Sequence, residues 1–249
     1  MKIDLKGFLD DNKKLYINSN TGKGKTLILS LLALLFIDLF PEYTIIANFH
    51  LNIFDKKTKK SKCIYSKYSL LPFSELKKGK FLVLIDDFIS VKKDLQNFGS
   101  ILGTLSRKLN VLVYISLHYY THLSLENRML FNYELIPTLF KIKNGKLTES
   151  SKAKVECYET SSLELHYKFP LYNLLELVKG NYTCNNVYVK GQLYDTYELV
   201  SFTNERLIIK EIANWSNNID DIEQNINLIT KSKTRYKYLL KEVKNFKNQ

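Results

Sequence analysis

Ser19-Asn20-Thr21-Gly22-Lys23-Gly24-Lys25-Thr26 is the stretch whose residue types and spacing bear most directly on chemistry. It follows an apolar, strand-like segment, Leu15-Tyr16-Ile17, and leads into a long apolar segment that begins at Leu27. Strand, glycine-bearing turn, Gly-Lys-Thr and helix together form a cradle for a nucleoside triphosphate. Backbone N–H groups of the turn and of the helix N-terminus point at phosphate oxygens. The Lys25 ammonium reaches the β- and γ-phosphates, and the Thr26 hydroxyl can ligate Mg²⁺. The usual spacing places a glycine first, where this chain has Ser19.

About sixty residues downstream, Phe81-Leu82-Val83-Leu84-Ile85 ends in the paired carboxylates Asp86 and Asp87. A run this apolar reads as a strand buried on both faces of a parallel sheet, and α/β sheets place ligands at the carboxyl ends of such strands. Asp86 is then expected to hold the Mg²⁺, directly or through water, and Asp87 to orient or deprotonate an attacking water. A strand-to-turn boundary explains the pair equally well in isolation. The two motifs, each in the right element and order, together favour nucleotide binding.

The elements that must position these residues alternate in a doubly wound α/β pattern. A helix from Leu27 ends at Pro41, and Tyr43 to Phe49 supplies a second strand. Residues 55–62 are dense in lysine and lack apolar periodicity: either a solvated turn or a phosphate contact. Residues 88–109 have helical spacing, and Val111 to Leu117 form another buried strand ending at His118. From about 139 to 200 the texture is short β-like runs, either an antiparallel extension of the main sheet or a small subdomain. Beyond Asn204 the pattern is helical, with Ile219, Ile222, Ile226 and Ile229 on one face. Tyr236, Leu239, Leu240, Val243 and Phe246 share another. The expected division is a core over 1–203 and a basic helical segment over 204–249.

A chain of 249 residues that is 45% hydrophobic is long enough to bury a full core. Its net charge of +12 favours a polyanionic partner, nucleic acid before an acidic membrane surface. Between Lys231 and Lys247 seven residues are Lys or Arg against a single Glu, which makes the C-terminal helices the better DNA-contact candidate. Cys63, Cys157 and Cys184 lack ligand spacing and read as free thiols in a reducing compartment. No leader or spanning segment is evident, so no membrane insertion and a cytoplasmic location are expected. His118 and His122 lack a third ligand for a metal. Tyr119-Tyr120 read as buried aromatics, or as a surface that stacks on bases.

Several stretches resemble the FtsK–HerA superfamily of nucleic-acid-pumping ATPases, especially viral genome-packaging ATPases and zonula occludens toxin-like phage assembly ATPases. Ile45-Ile46-Ala47-Asn48-Phe49-His50-Leu51 resembles the family's second strand, which ends in Asn. The acidic strand 81–87 and Ser106-Arg107-Lys108-Leu109-Asn110-Val111, leading to Ser116-Leu117-His118, carry further likeness. So do Glu126-Asn127-Arg128 and Tyr194-Asp195-Thr196-Tyr197-Glu198. Ser19 replaces the first glycine, Asp87 stands where Glu is commoner, and His118 stands where Gln is usual. The resemblance covers residues 12–200 and implies a RecA-like P-loop core, ATP and Mg²⁺ as ligands, and in-line attack of water. It implies that Lys25, Thr26 and Asp86 hold nucleotide and metal, Asp87 orients the water, and His118 senses the γ-phosphate. Protonation of His118 would then make activity pH-sensitive near neutrality. Implied partners are double-stranded DNA, other copies in a pentameric or hexameric ring, and a capsid or portal component in a host cell's cytoplasm. A partition-type DNA-binding switch and an extrusion ATPase are the alternatives.

Arg107 is the candidate finger reaching a neighbouring subunit's nucleotide, a device worth about 10³–10⁵ in rate; a surface arginine is the other reading. Arg107→Ala is expected to leave nucleotide affinity intact and abolish turnover. Equal loss of binding and turnover rejects the trans role.

Overall fold

The computed structural model describes residues 9, 14–20, 24–66, 70–76, 78–87, 111–119, 123, 125–137, 142–143, 146–147, 154–160, 165–170, 184–194, 205–230 and 232–248. Thr21, Gly22, Lys23, Arg107, Tyr120, His122, the helix expected over 88–109 and Asp195 to Glu198 lie outside them.

The apolar runs become strands of one sheet. They are β1 (Leu15–Asn18), β2 (Tyr43–Ala47), β5 (Lys80–Ile85) and β6 (Val111–Leu117). Two further strands, β3 (Leu51–Asp55) and β4 (Cys63–Tyr65), follow β2, and β7 (Tyr133–Pro137) follows β6. With β8 (Ile142–Lys143) and β9 (Lys146–Leu147) as a separate hairpin, β10 (Lys154–Glu159) and β11 (Leu165–Pro170) complete the eight-stranded order β11-β10-β7-β1-β6-β5-β2-β4. Every pairing from β7 to β4 is parallel, and β10 and β11 add antiparallel to that edge. The fold is the expected α/β, RecA-like P-loop arrangement with a mostly parallel central sheet flanked by helices. The β10 and β11 runs extend that sheet, as one of the two readings had it.

Both faces of the sheet are covered, and the strands show it residue by residue. Leu15, Ile17, Leu82, Leu84, Leu112 and Tyr114 face one core, whereas Tyr16, Val83, Ile85, Val113 and Ile115 face another. Because successive side chains alternate, a strand covered twice must be apolar throughout. The first core belongs to helix α1 (Lys25–Leu39), which is buried on almost every side. Its outer side is closed by a ribbon in which β12 (Val187–Tyr194) pairs antiparallel with β3. Asp38, 2% exposed at the end of α1, accepts hydrogen bonds from the N–H groups of Asn185, Asn186 and Val187 at 3.0, 2.7 and 3.3 Å. Hydrogen bonds to a charged acceptor contribute about 1.5–3 kcal/mol each. The carboxylate that interrupts the apolar run therefore pins the ribbon to α1.

Short helix α2 (Phe73–Leu76) lies on the second core, and α3 (Leu125–Arg128) precedes β7. The C-terminal helices α4 (Glu205–Trp215), α5 (Ile219–Ile229) and α6 (Lys233–Lys247) bury Ile208, Ile212, Ile222, Ile226, Leu239 and Val243 against one another and against Leu70. Asn225 of α5 accepts from the Leu71 N–H at 3.1 Å, and Trp215 and Leu228 pack on the second core. Asn218 and Ser232 cap α5 and α6 with their side chains. Ile219 and Phe246, expected on apolar faces, are exposed: each sits in a terminal turn, beyond the buried stripe of its helix. Residues 56–61 of the lysine-rich stretch form a turn that is exposed over 57–61. All three cysteines are free. Among the described residues no helix is long and apolar enough to cross a membrane.

Candidate functional site

The strand order β1-β6-β5 puts one strand between the loop strand and the acidic strand, so the two motifs must meet across the end of β6. Ile85 is level with Ile115, which places Asp86 beside Ser116, the penultimate residue of β6. From α1, the Thr26 hydroxyl donates to Asp86 Oδ2 at 2.6 Å, and the Ser116 hydroxyl donates to Asp86 Oδ1 at 2.5 Å. Ser116 Oγ also accepts from the Asp87 N–H at 2.9 Å.

Asn48 fixes the backbone of the same aspartate. Buried just beyond β2, its Oδ1 accepts from Asp86 N–H at 2.8 Å and its Nδ2 donates to Asp86 O at 2.9 Å. The side-chain amide continues the β2–β5 ladder by one rung where the chain of β2 turns away. Asp86 is thus held at its N–H, its C=O and both carboxylate oxygens.

Gly24 precedes α1 with φ of 75°, a left-handed conformation that a side chain would strain. Ser19 has no such requirement. Lys59 and Asp87 are the non-glycine residues with positive φ among those described. The Ser19 N–H instead bonds to Leu117 O at 3.2 Å and prolongs the β1–β6 pairing. A serine in the first position of the loop is therefore compatible with this backbone.

Lys25 is 5% exposed. Its ammonium lies 3.3 Å from both Asn20 O and His118 Nδ1, while His118 Nε2 is 3.1 Å from Asp87 Oδ1. With Lys25 charged, both histidine contacts are satisfied by a neutral imidazole whose proton is on Nε2. Asp87, at φ of 46°, ends the chain of contacts with a half-exposed carboxylate. The structure brings together Ser19, Asn20, Gly24, Lys25, Thr26, Asp86, Asp87 and His118. Of the two readings of Tyr119, buried aromatic or exposed surface, the first fails: the residue is exposed, because the chain has left the sheet there.

Burial pushes the Lys25 ammonium below its ordinary pKa, partly offset by Asp87 and then Asp86. Burial likewise pushes the Asp86 carboxyl up, opposed by the Ser116 and Thr26 hydroxyls and reinforced by Asp87. Tyr194, at the end of β12, has its hydroxyl pushed up by burial and then by the Asp86 charge. A phosphate anion near Lys25 and a divalent cation near Asp86 would each relieve a desolvation cost. The donor set fits Mg²⁺: a hydroxyl oxygen and a carboxylate oxygen are hard ligands, already converged, and Mg²⁺ takes few protein ligands beside phosphate. A cleft of about 320 Å³ opens alongside, lined by Asn18, Ser19, Asn20, His118, Tyr119, Ile136 and Pro137.

The site depends on two residues to which sequence reading gave no role of their own. Ser116 carried only the faint signal of a hydroxyl near the end of an apolar strand. Asn48 stood out through family resemblance, without its contact to Asp86.

No protein-family model matches the sequence, and no curated protein matches it either. Solved structures of similar outline include the genome packaging NTPase B204 from Sulfolobus turreted icosahedral virus 2 in complex with ATP-gammaS. That likeness has a TM-score of 0.42 and 9% identity, over 65% of this chain and 98% of that one. The flagellar accessory protein FlaH from Methanocaldococcus jannaschii has a TM-score of 0.42 and 11% identity, over 67% of this chain and 89% of that one. EssC (ATPases 2 and 3) from Geobacillus thermodenitrificans has 0.38 and 13%, over 69% and 43%. Such scores carry no argument about chemistry, which rests on the contacts around Asp86.

A carboxyl whose folded pKa lies above its ordinary 3.8 stabilises the fold below that value and loses the contribution as pH rises through the folded pKa. In thermal melts without ligand, Asp86→Asn is therefore expected to gain on wild type as pH rises from about 4. The gain levels off above the raised pKa. A difference independent of pH would show that Asp86 is not held above the ordinary carboxyl range.

Proposed function

We propose that this chain is a Mg²⁺-dependent ATPase that drives the movement of double-stranded DNA, working as a ring of like subunits in the manner of viral genome packaging. One observation carries the reading: Thr26 Oγ1 and Asp86 Oδ2 meet at 2.6 Å with the buried Lys25 beside them. A hydroxyl, a carboxylate and an ammonium converging at the end of a parallel sheet, next to a helix N-terminus opened by Gly24, suit a metal-bound triphosphate.

In this reading the N–H groups of the loop and of the first turn of α1 bind the phosphates. Lys25 leaves Asn20 O and His118 for the β- and γ-phosphate oxygens. Thr26 and Asp86 would hold Mg²⁺, which would supply positive charge against the phosphates. Asp87 accepts a proton from the attacking water and aligns it with the γ-phosphorus. The P–O bond to the leaving diphosphate breaks, giving ADP and phosphate. His118, released from Lys25, keeps its Nε2–H on Asp87 and positions that carboxylate. Arg107 from a neighbouring copy completes charge stabilisation.

The DNA part draws on charge. Helix α6 exposes Lys233, Lys237, Lys241 and Lys244 at intervals of four, four and three, a stripe along one helical face. Removal of residues 204–249 would uncover Leu70 and part of the second core, so substitution of these lysines is the sounder probe of that stripe.

The deciding experiment is ATP hydrolysis with and without duplex DNA. Wild type is expected to hydrolyse ATP faster with DNA, and Lys25→Ala to lose about 10²-fold or more of both rates. Equal rates in the two proteins would remove the proposed site. Unstimulated hydrolysis in wild type would keep an ATPase and remove the motor. A dimer formed on ATP, in place of a pentamer or hexamer, would favour the partition-type switch.

A further inference from the structure

The lysine-rich turn between β3 and β4 has more structure than a solvated loop requires. Residues 55–62 hold five lysines against Asp55, a net charge of +4 in eight residues (5 − 1). Like charges that close lie within one Debye length of about 8 Å at physiological salt, and a slack loop would spread them. This one is locked. Asp55 Oδ1 accepts from the N–H groups of Thr58 and Lys57 at 2.7 and 2.9 Å, and those bonds keep its carboxyl below the ordinary range. Asp55 N–H bonds to Lys60 O, and Lys59 N–H to Asp55 O, both at 2.9 Å. Lys56 Nζ is tied to Cys184 O and Lys62 Nζ to Pro41 O, so two lysines anchor the turn.

The other three, Lys57, Lys59 and Lys60, are exposed, and among the described residues none pairs with a carboxylate. Lys59, left-handed at φ of 60°, carries its ammonium 5.3 Å from the centre of the Tyr188 ring. Tyr188 stacks on Phe54 at 5.7 Å and 29° across the β3–β12 ribbon, and Lys190 follows, exposed, on the same face of β12. Exposed lysines carried on a fixed backbone turn are suited to meeting the evenly spaced charges of a nucleic-acid phosphate backbone.

We infer that the turn 56–60 and the outer face of the β3–β12 ribbon form the surface on which the phosphate backbone of nucleic acid docks. The choice of nucleic acid as the polyanion rests on the functional reading above. The surface is also wired to the catalytic end. β3 begins three residues after Asn48, which grips Asp86; β12 ends at Tyr194, paired with Leu51 at that same end of the ribbon; and the ribbon packs along α1. An acidic membrane would find the charge here but no use for that connection.

The test is duplex-DNA binding by the full chain, followed by fluorescence anisotropy from 50 to 200 mM salt, the range over which phosphate contacts show most. Lys57→Gln/Lys59→Gln/Lys60→Gln is expected to reduce the slope of log K against log[salt] by about 2–3. Its DNA-free ATPase rate should be unchanged. Lys57→Gln/Lys60→Gln, which leaves the left-handed residue and its ring contact alone, should lose about two thirds of that amount. An unchanged slope in both variants overturns the inference. So does a slope that falls only for vesicles rich in phosphatidylserine. Absence of ATPase activity in wild type would remove the motor yet leave the slope measurement to decide the docking surface.

Discussion

Burying a carboxylate at the end of a parallel sheet is expensive, and most of the site's construction follows from that cost. An ionised group removed from water must be fully hydrogen-bonded or be met by a counter-charge. Asp86 is 9% exposed, and its oxygens are taken by Ser116 and Thr26 while Asn48 holds its backbone. Those three partners come from β6, α1 and the end of β2, so the aspartate is also the point at which these elements are registered against one another. Even with two hydroxyls donating to it, the carboxyl is still pushed up by burial, which leaves it poised for a cation.

Lys25 is in the complementary position. It is an ammonium in a buried place, held by a backbone carbonyl and an imidazole nitrogen, neither of which carries a matching negative charge. His118 joins it to Asp87, so the groups assigned to phosphate and to water are linked before any ligand arrives. Its imidazole meets Lys25 with one nitrogen and Asp87 with the other, and so bridges two groups of opposite sign.

Much of the fold was legible in the chain because both faces of the sheet are covered. Leu82, Val83, Leu84 and Ile85 are uniformly apolar because they sit in such a strand, and Gly24-Lys25-Thr26 lies where a strand gives way to a helix. What stayed hidden depends on long-range pairing. Asn52 and Gln192, 140 residues apart, meet in the ribbon, and no local pattern announces such a partnership. Asp38 carries no local signal of its role because its partners at 185–187 are supplied by that distant segment. Ser116 is invisible for the same reason, since its role exists only once β6 lies between β1 and β5. Ser19 looked like a defect because the glycine pattern encodes a backbone freedom that this loop does not use at its first position.

The most direct measurement is of the metal itself. Electron paramagnetic resonance can follow Mn²⁺, as a stand-in for Mg²⁺, bound with a non-hydrolysable ATP analogue to wild type and to Thr26→Val, which keeps the shape of the side chain and deletes its oxygen. The structure predicts a tightly held ion in wild type that depends on the nucleotide and is lost in the variant. An ion held equally well by both proteins, or by neither, would contradict a site built on the meeting of Thr26 and Asp86.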